Sequence, residues 1–281
     1  MVVQIADNIM VGHLGTTEFA GVSFANVIFM IGMVFTICFT QGLTPYVGQN
    51  YGRGNHRDMK AYLQDSFILN LIICLFVLTL MTLIVPFMDQ MGQDPKILLY
   101  AKQYYLYSLV SLIPTVLFFT MRNFSEGIGI TKYAMYITVF ANLLNILLNW
   151  LLIFGKWGFP YLGVSGAAIA TLISRIVMVI LFAYIFFRIE AYTKFTKIKI
   201  IPFIDLDKMK KLFNTSIPIA FQGLVEVTAF GLTGIMVGWI NKESLAAYQI
   251  TNTLSTLSFM IAQGIGVAAT ITVSHQFGEK N

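Results

Sequence analysis

Two carboxylates stand in stretches of sequence that are otherwise apolar: Asp7, within residues 1–12, and Glu226, near the centre of residues 212–238. An ionisable group in such a setting costs several kcal/mol and marks a functional position. A carboxyl in a low-dielectric cavity can exchange a proton near neutral pH, or can join other oxygens in holding a desolvated Na+. Asn142, Asn145 and Asn149 supply such oxygens, because spacings of three and four put them in one stripe of an apolar helix. The same stripe equally suits hydrogen bonding to a neighbouring helix. Arg175, the one basic residue well inside an apolar segment, either pairs with an acid or snorkels toward the membrane surface. Gln222, Gln249 and Asn252 are further candidates for lining a cavity. Pro218, eight residues before Glu226, removes a backbone donor and bends its helix.

The elements that carry these groups are membrane helices. Of the 281 residues, 57% are hydrophobic and 11% charged, and the mean hydropathy is +0.75. Soluble domains carry roughly 25% charged residues, so a soluble enzyme, a secreted disulfide module and a disordered chain are excluded. Eight apolar segments run over residues 1–12, 17–48, 61–88, 97–120, 133–155, 163–187, 212–238 and 244–274. The first is too short to cross about 30 Å of hydrocarbon. The connections after segments two, four and six hold twelve Lys and Arg, against three in the others. That asymmetry predicts a cytoplasmic side for the first set and for the N-terminus. Seven of the 18 basic residues fall between Arg188 and Lys211, so the net charge of +5 belongs to a membrane-flanking loop and not to a nucleic-acid surface. Cys38 and Cys74 sit inside apolar runs as packing residues, and no signal peptide is recognisable.

The chain also repeats itself. Ile9-Met10-Val11-Gly12 recurs as Ile235-Met236-Val237-Gly238, and the same offset of 226 pairs Asn26 with Asn252, Gly52 with Gly278 and Asn55 with Asn281. Six segments separate the copies, so both have the same orientation: parallel halves related by an axis along the membrane normal, as in secondary transporters, with substrate between them. Under this offset Asp7 and Glu226 fall on matching helix faces, two turns or about 10 Å apart in depth. No DxxxD pair, HExxH, Walker loop or Gly-x-Ser-x-Gly supports catalysis, and His13, His56 and His275 lie at segment ends or in loops.

Five stretches together resemble the multidrug and toxic compound extrusion (MATE) family, most closely its NorM-type bacterial members. They are Asp7-Asn-Ile-Met-Val-Gly-His-Leu-Gly15, Gly48-Gln-Asn-Tyr-Gly-Arg-Gly-Asn55, Asn145-Ile-Leu-Leu-Asn149, Leu162-Gly-Val-Ser-Gly-Ala-Ala-Ile-Ala-Thr171 and Ile217-Pro-Ile-Ala-Phe-Gln-Gly-Leu-Val-Glu226. The resemblance implies an all-α polytopic membrane protein of two parallel six-helix lobes. It implies alternating access, with Na+ or H+ driving the export of amphipathic, mostly cationic compounds. Carried over, Asp7, Asn145, Asn149 and Thr171 resemble the N-lobe coupling site, and Glu226 resembles the C-lobe carboxylate whose partner on a tenth helix this chain lacks. A lipid or lipid-linked oligosaccharide flippase of the same superfamily is the alternative. It is disfavoured by the single buried cation, Arg175. An enzyme or a channel fits less well.

The expectations are an N-lobe over 1–190 with a truncated first helix, a basic cytoplasmic linker over 191–211, and the start of a C-lobe over 212–281. The repeat places a natural start about 15–20 residues before Met1 and an end near position 426, so that the chain alone would not transport. The expected protein is a monomeric carrier of the bacterial inner membrane. It is expected to need no cofactor beyond the coupling ion and to take small organic cations or drugs.

Overall fold

The structure, a computed structural model, describes Asp7, residues 9–190, Tyr192, and residues 205–238 and 242–280. All secondary structure among the described residues is helical. We number the helices α1 (Thr16–Thr40), α2 (Leu43–Gly52), α3 (His56–Ile84), α4 (Pro95–Val110), α5 (Leu112–Gly127), α6 (Lys132–Phe154), α7 (Gly163–Arg188), α8 (Leu206–Gly238) and α9 (Lys242–Glu279). Among the described residues, seven helical stretches are long and apolar enough to cross a membrane, from Thr16–Gly52 to Thr251–Glu279. The short first segment lies mostly outside the described residues; residues 9–12 are helical.

Two apolar runs that read as single spans are jointed. The first breaks between α1 and α2 at Gln41-Gly42, where Pro45 cannot donate to the Gln41 carbonyl. At this joint Gly42 abuts Ser216 of α8, and a Cβ at Gly42 would come within 3.0 Å of the Ser216 Cα. The second breaks at Ser111, between α4 and α5. Pro114 cannot donate to the turn before it, which releases the ladder there.

Helices also extend past their apolar runs into charged residues. α3 begins at His56, five residues before its apolar run. Asn55 caps it, accepting from the Asp58 backbone N–H at 3.2 Å while its own amide donates to the Asp58 carboxylate at 2.6 Å. α8 begins at Leu206, with the Asp205 Oδ1 accepting from the N–H groups of Asp207 and Lys208 at 3.1 and 3.2 Å. Leu206–Lys211, expected within the linker, are therefore the first turns of a helix. Of that linker, 191 and 193–204 lie outside the described residues.

The helices approach closely where side chains are small, as packing without a water-driven hydrophobic effect requires. Gly166 at the start of α7 lies on the Leu152 backbone of α6, and Gly21 of α1 lies on the Ile97 carbonyl of α4. Gly127 of α5 lies on Val47 of α2. The α6–α7 hairpin turns at Gly155, whose φ of 62° is left-handed and favours glycine.

The copies meet where α2 crosses α9. Gly52 lies against the backbone of His275, and Gly278 lies against the backbone of Gln49. These contacts are reciprocal: His275 is Gln49 shifted by 226, and Gly278 is Gly52 shifted by the same amount. A position and its counterpart exchange the same neighbours, which is the signature of a local two-fold axis. The copies differ at the joint. Val267-Ala268 replace Gln41-Gly42, and α9 runs through unbroken.

Candidate functional site

A cavity of about 390 Å³ opens among α1, α4, α7 and the N-terminal helical segment. Its polar lining includes Asp7, Asn26, Tyr104, Thr171 and Arg175, and its apolar walls include Phe29, Met30 and Met33. Behind it stands the amide ladder of α6. The Asn149 side-chain amide donates to the Asp7 carboxylate and, at 3.2 Å, to Asn145 Oδ1. Asn145 in turn donates to Thr171 Oγ1 at 3.3 Å, and that hydroxyl donates to the Ala167 carbonyl at 3.1 Å. Asn145 is 4% exposed and Asn149 fully buried.

Antiparallel packing of α6 on α7 produces this chain of contacts. One turn along α6 from Asn149 to Asn145 brings the ladder level with Thr171 of α7. Both asparagines fall on the face that α7 covers. The oxygen Asn149 Oδ1 is buried with no hydrogen-bond partner. An orphaned acceptor costs about 1–3 kcal/mol, and here it lies on the amide that already contacts Asp7. Carboxylate, amide and hydroxyl oxygens are the hard ligands that suit Na+ or a proton. No cluster of three or more His, Cys, Asp or Glu that could hold a metal occurs among the described residues.

Arg175 reaches the same cavity without the ion pair or the snorkelling that its sequence position suggests. Its guanidinium donates to Ser111 Oγ at 2.6 Å and to Met33 Sδ at 3.6 Å, and it lies over the Phe29 ring at 5.6 Å. Ser111, at the joint between α4 and α5, is a contact that sequence reasoning missed. So are Tyr104 and Ser108, which share its helix face at spacings of four and three. That stripe was the available signal.

Other expected residues lie elsewhere. Asn142 is exposed and lines no part of the cavity. Gln222 is exposed and Asn252 half-buried, and neither lines the cavity. The Gln249 side chain lies outside the described residues. Glu226 is half-buried on α8, one turn beyond Gly223, where a Cβ would lie 2.5 Å from the Cys38 Sγ of α1. The structure thus gathers Asp7, Asn145, Asn149, Thr171 and Arg175, and leaves Glu226 apart from them.

Contacts between residues 9–190 and α8–α9 concentrate at the end that carries the basic loops. Tyr46 OH meets Thr215 Oγ1 at 2.8 Å and donates to the Lys211 carbonyl at 3.2 Å. Lys208 Nζ donates to Asp58 at 2.8 Å, and His275 Nε2 lies 2.7 Å from the Gly127 carbonyl. Phe35 and Phe39 of α1 meet Phe221 and Phe213 of α8 edge-on, with centroids 5.9 and 6.1 Å apart. Toward the other end of α8, Phe230, Leu232 and Met236 are exposed.

A MatE family model matches residues 1–151 and 218–281. The chain is similar to "Multidrug resistance protein NorM" of Vibrio parahaemolyticus, with 29% identity over 279 residues, 98% of this chain and 60% of that protein. It is similar to "Probable multidrug resistance protein NorM" of Agrobacterium fabrum, with 27% identity over 283 residues, 99% of this chain and 60% of that one. The chain therefore spans about three-fifths of the length of these curated relatives. Among solved structures, "Crystal structure of MATE in complex with MaL6" superposes at a TM-score of 0.89 and 22% identity, over 100% of this chain and 62% of the other. "Crystal structure of eukaryotic MATE transporter AtDTX14" superposes at 0.84 and 21%, over 100% and 62%.

Proposed function

The chain belongs to the MatE family of multi-pass membrane proteins, and from that premise we propose that it works as the ion-coupled part of a multidrug efflux antiporter. Na+ or H+ occupies Asp7, and the ammonium of an amphipathic cation competes for the same carboxylate. Antiport follows from exclusive occupancy: the acid binds ion or cargo, and the protein changes orientation with either one. The observation that carries this reading is the buried ladder Asp7–Asn149–Asn145–Thr171 with its orphaned Asn149 Oδ1. One carboxylate among neutral oxygens suits a monovalent ion over a divalent one.

In this reading residues 1–190 form one lobe, 191–211 connect it to the next, and 212–281 begin a second lobe to which Glu226 contributes a separate carboxylate. The lobes close at the basic-loop end, which faces the cytoplasm of a bacterial inner membrane, and the cavity serves the opposite side. The single base in the cavity lining, Arg175, suits drug-sized cargo better than a pyrophosphate lipid. The carrier acts as a monomer.

The test is ion binding by the purified chain in lipid nanodiscs, read as 22Na+ binding and as proton release on adding a cationic dye. Asp7→Asn is expected to abolish both signals while Glu226→Gln leaves the Asp7 signal in place. Ion binding and dye-driven proton release that persist in Asp7→Asn would overturn the assignment. In a full-length, two-lobed version, ethidium efflux from everted vesicles, under a Na+ gradient and then a proton gradient, identifies the coupling ion.

A further inference from the structure

Arg175 is unexplained by a cavity meant for cations alone. A guanidinium carries a fixed charge and five N–H donors in a planar fork. Ser111 Oγ takes one of them, and the thioether of Met33 is a weak acceptor. No carboxylate lies within 4 Å of it among the described residues. Asp7 offsets this buried charge across the cavity without touching it, so the fork itself carries no carboxylate. A charge on the wall of a low-dielectric cavity is costly where its counter-ion is not in contact. It also repels the cationic cargo that Asp7 attracts.

The two charges stand at different depths. Asp7 is anchored at Asn149, and Asn145 is one turn along α6 from there. Thr171 of α7 lies level with Asn145, and Arg175 is one turn further along α7 in the same direction. The backbone of Arg175 is therefore about two turns, or about 11 Å, from the Asp7 anchor. An acid and a base occupy separate levels of one cavity, with Phe29, Tyr104 and Met30 on its walls.

We propose that Arg175 forms a carboxylate-binding subsite, so that the cavity selects amphipathic zwitterions, with the cationic end toward Asp7 and the carboxylate on the guanidinium. The proposal rests on the reading of this cavity as the cargo site. A plain anion is repelled by Asp7 and a dication by Arg175, whereas a zwitterion satisfies both, and this is selection by repulsion as much as by attraction. The fork geometry favours a planar carboxylate over a point anion.

A matched pair of dyes tests this. Rhodamine 110 carries a cationic ring system and a free carboxylate, and rhodamine 123 is its methyl ester. Binding is read by fluorescence anisotropy with the purified chain in nanodiscs, corrected for empty discs. The wild type is expected to bind the acid about tenfold more tightly than the ester. Arg175→Gln should erase that preference, and Arg175→Lys should keep part of it, since charge remains while the fork is lost. The wild-type comparison needs no variant, so a misfolded Arg175→Gln would not block the test. Equal binding of the two dyes to wild type, or a preference that survives in Arg175→Gln, overturns the subsite alone. If neither dye binds in a way that Asp7→Asn removes, the cargo-site reading falls with it.

Discussion

At the scale of single residues, the site is a set of buried polar atoms whose hydrogen bonds are nearly but not fully complete. Thr171→Val keeps the shape of the side chain and removes the acceptor for Asn145, and this should weaken ion binding several-fold, with Thr171→Ser restoring it. Asn149→Leu removes the donor to Asp7, and a buried carboxylate deprived of a donor costs more than the about 1–3 kcal/mol of a neutral group. Thermal unfolding of the variant in detergent and its 22Na+ affinity measure the two losses. Outside the membrane, the Asp205 carboxylate is held below the usual range by the Lys208 and Asp207 N–H groups that it caps, the Lys208 contact being foremost. Its charged form then stabilises α8 above the ordinary Asp value near 4, and that stability is lost as pH falls through the lower folded value. Asp205→Asn should therefore lower the Tm at pH 6, by a margin that shrinks as pH falls below the ordinary Asp value. Asn145 and Asn149 were legible from their spacing, because one helix face must carry both. Asn142 satisfied the same spacing rule and failed, since a stripe does not say which of its edges the neighbouring helix covers. The Ser111 contact could not be read at all: it joins positions 64 residues apart through a guanidinium whose direction depends on the tertiary fold.

Among the elements, apolar runs located the spans well but not their joints or their ends. Pro45 and Pro114, each three residues past its break, are local signals for the joints at Gly42 and Ser111, whereas the seating of Gly42 on Ser216 has none. Helix starts at His56 and Leu206 lie beyond the apolar runs because capping side chains, and not hydrophobicity, decide where a helix begins in water. The repeat was legible as an offset of 226, and its structural content is the reciprocal crossing of α2 and α9. That crossing makes a prediction. A Cβ at Gly52 or at Gly278 collides with the facing backbone, so either Gly52→Val or Gly278→Val should lever the two helices apart. The second substitution then meets a gap already opened, and the effects on stability should be well short of additive. With Cys38 and Cys74 replaced, a cysteine at Ser274, which is 6% exposed in the closed crossing, reports the change. Its alkylation should be slow in the parent and fast in either valine variant, and unchanged labelling would mean that the crossing is no clasp.

For the whole molecule, orientation decides what the closed end means. The contacts between residues 9–190 and α8–α9 gather beside the loops that contain Arg53, Arg57 and Lys132, while the opposite end carries the α6–α7 turn with Lys156 and Trp157, the latter 80% exposed. Lysine and arginine near span ends are retained on the cytoplasmic side, and the excess here is twelve against three over the connecting segments. In the proposed orientation, closure beside the basic loops would leave the Asp7 cavity to communicate with the outside, the state in which an exporter would release cargo and take up its driving ion. With Cys38 and Cys74 replaced, Lys156→Cys should react with a membrane-impermeant maleimide in intact cells. Arg57→Cys should react only after permeabilisation. The reverse pattern would put the closed end outside, and the same crossing of α2 and α9 would then shut the cavity from the medium and open it to the cytoplasm. Salt adds a second check on the same geometry. The Lys208–Asp58 pair is half-exposed, and such pairs contribute about 0–1 kcal/mol and are screened by ions. The edge-on Phe35–Phe221 and Phe39–Phe213 contacts do not depend on salt. If the aromatic contacts hold the lobes together, raising NaCl from 0.05 to about 1 M should leave labelling at Ser274→Cys nearly unchanged, while Phe221→Ala should accelerate it.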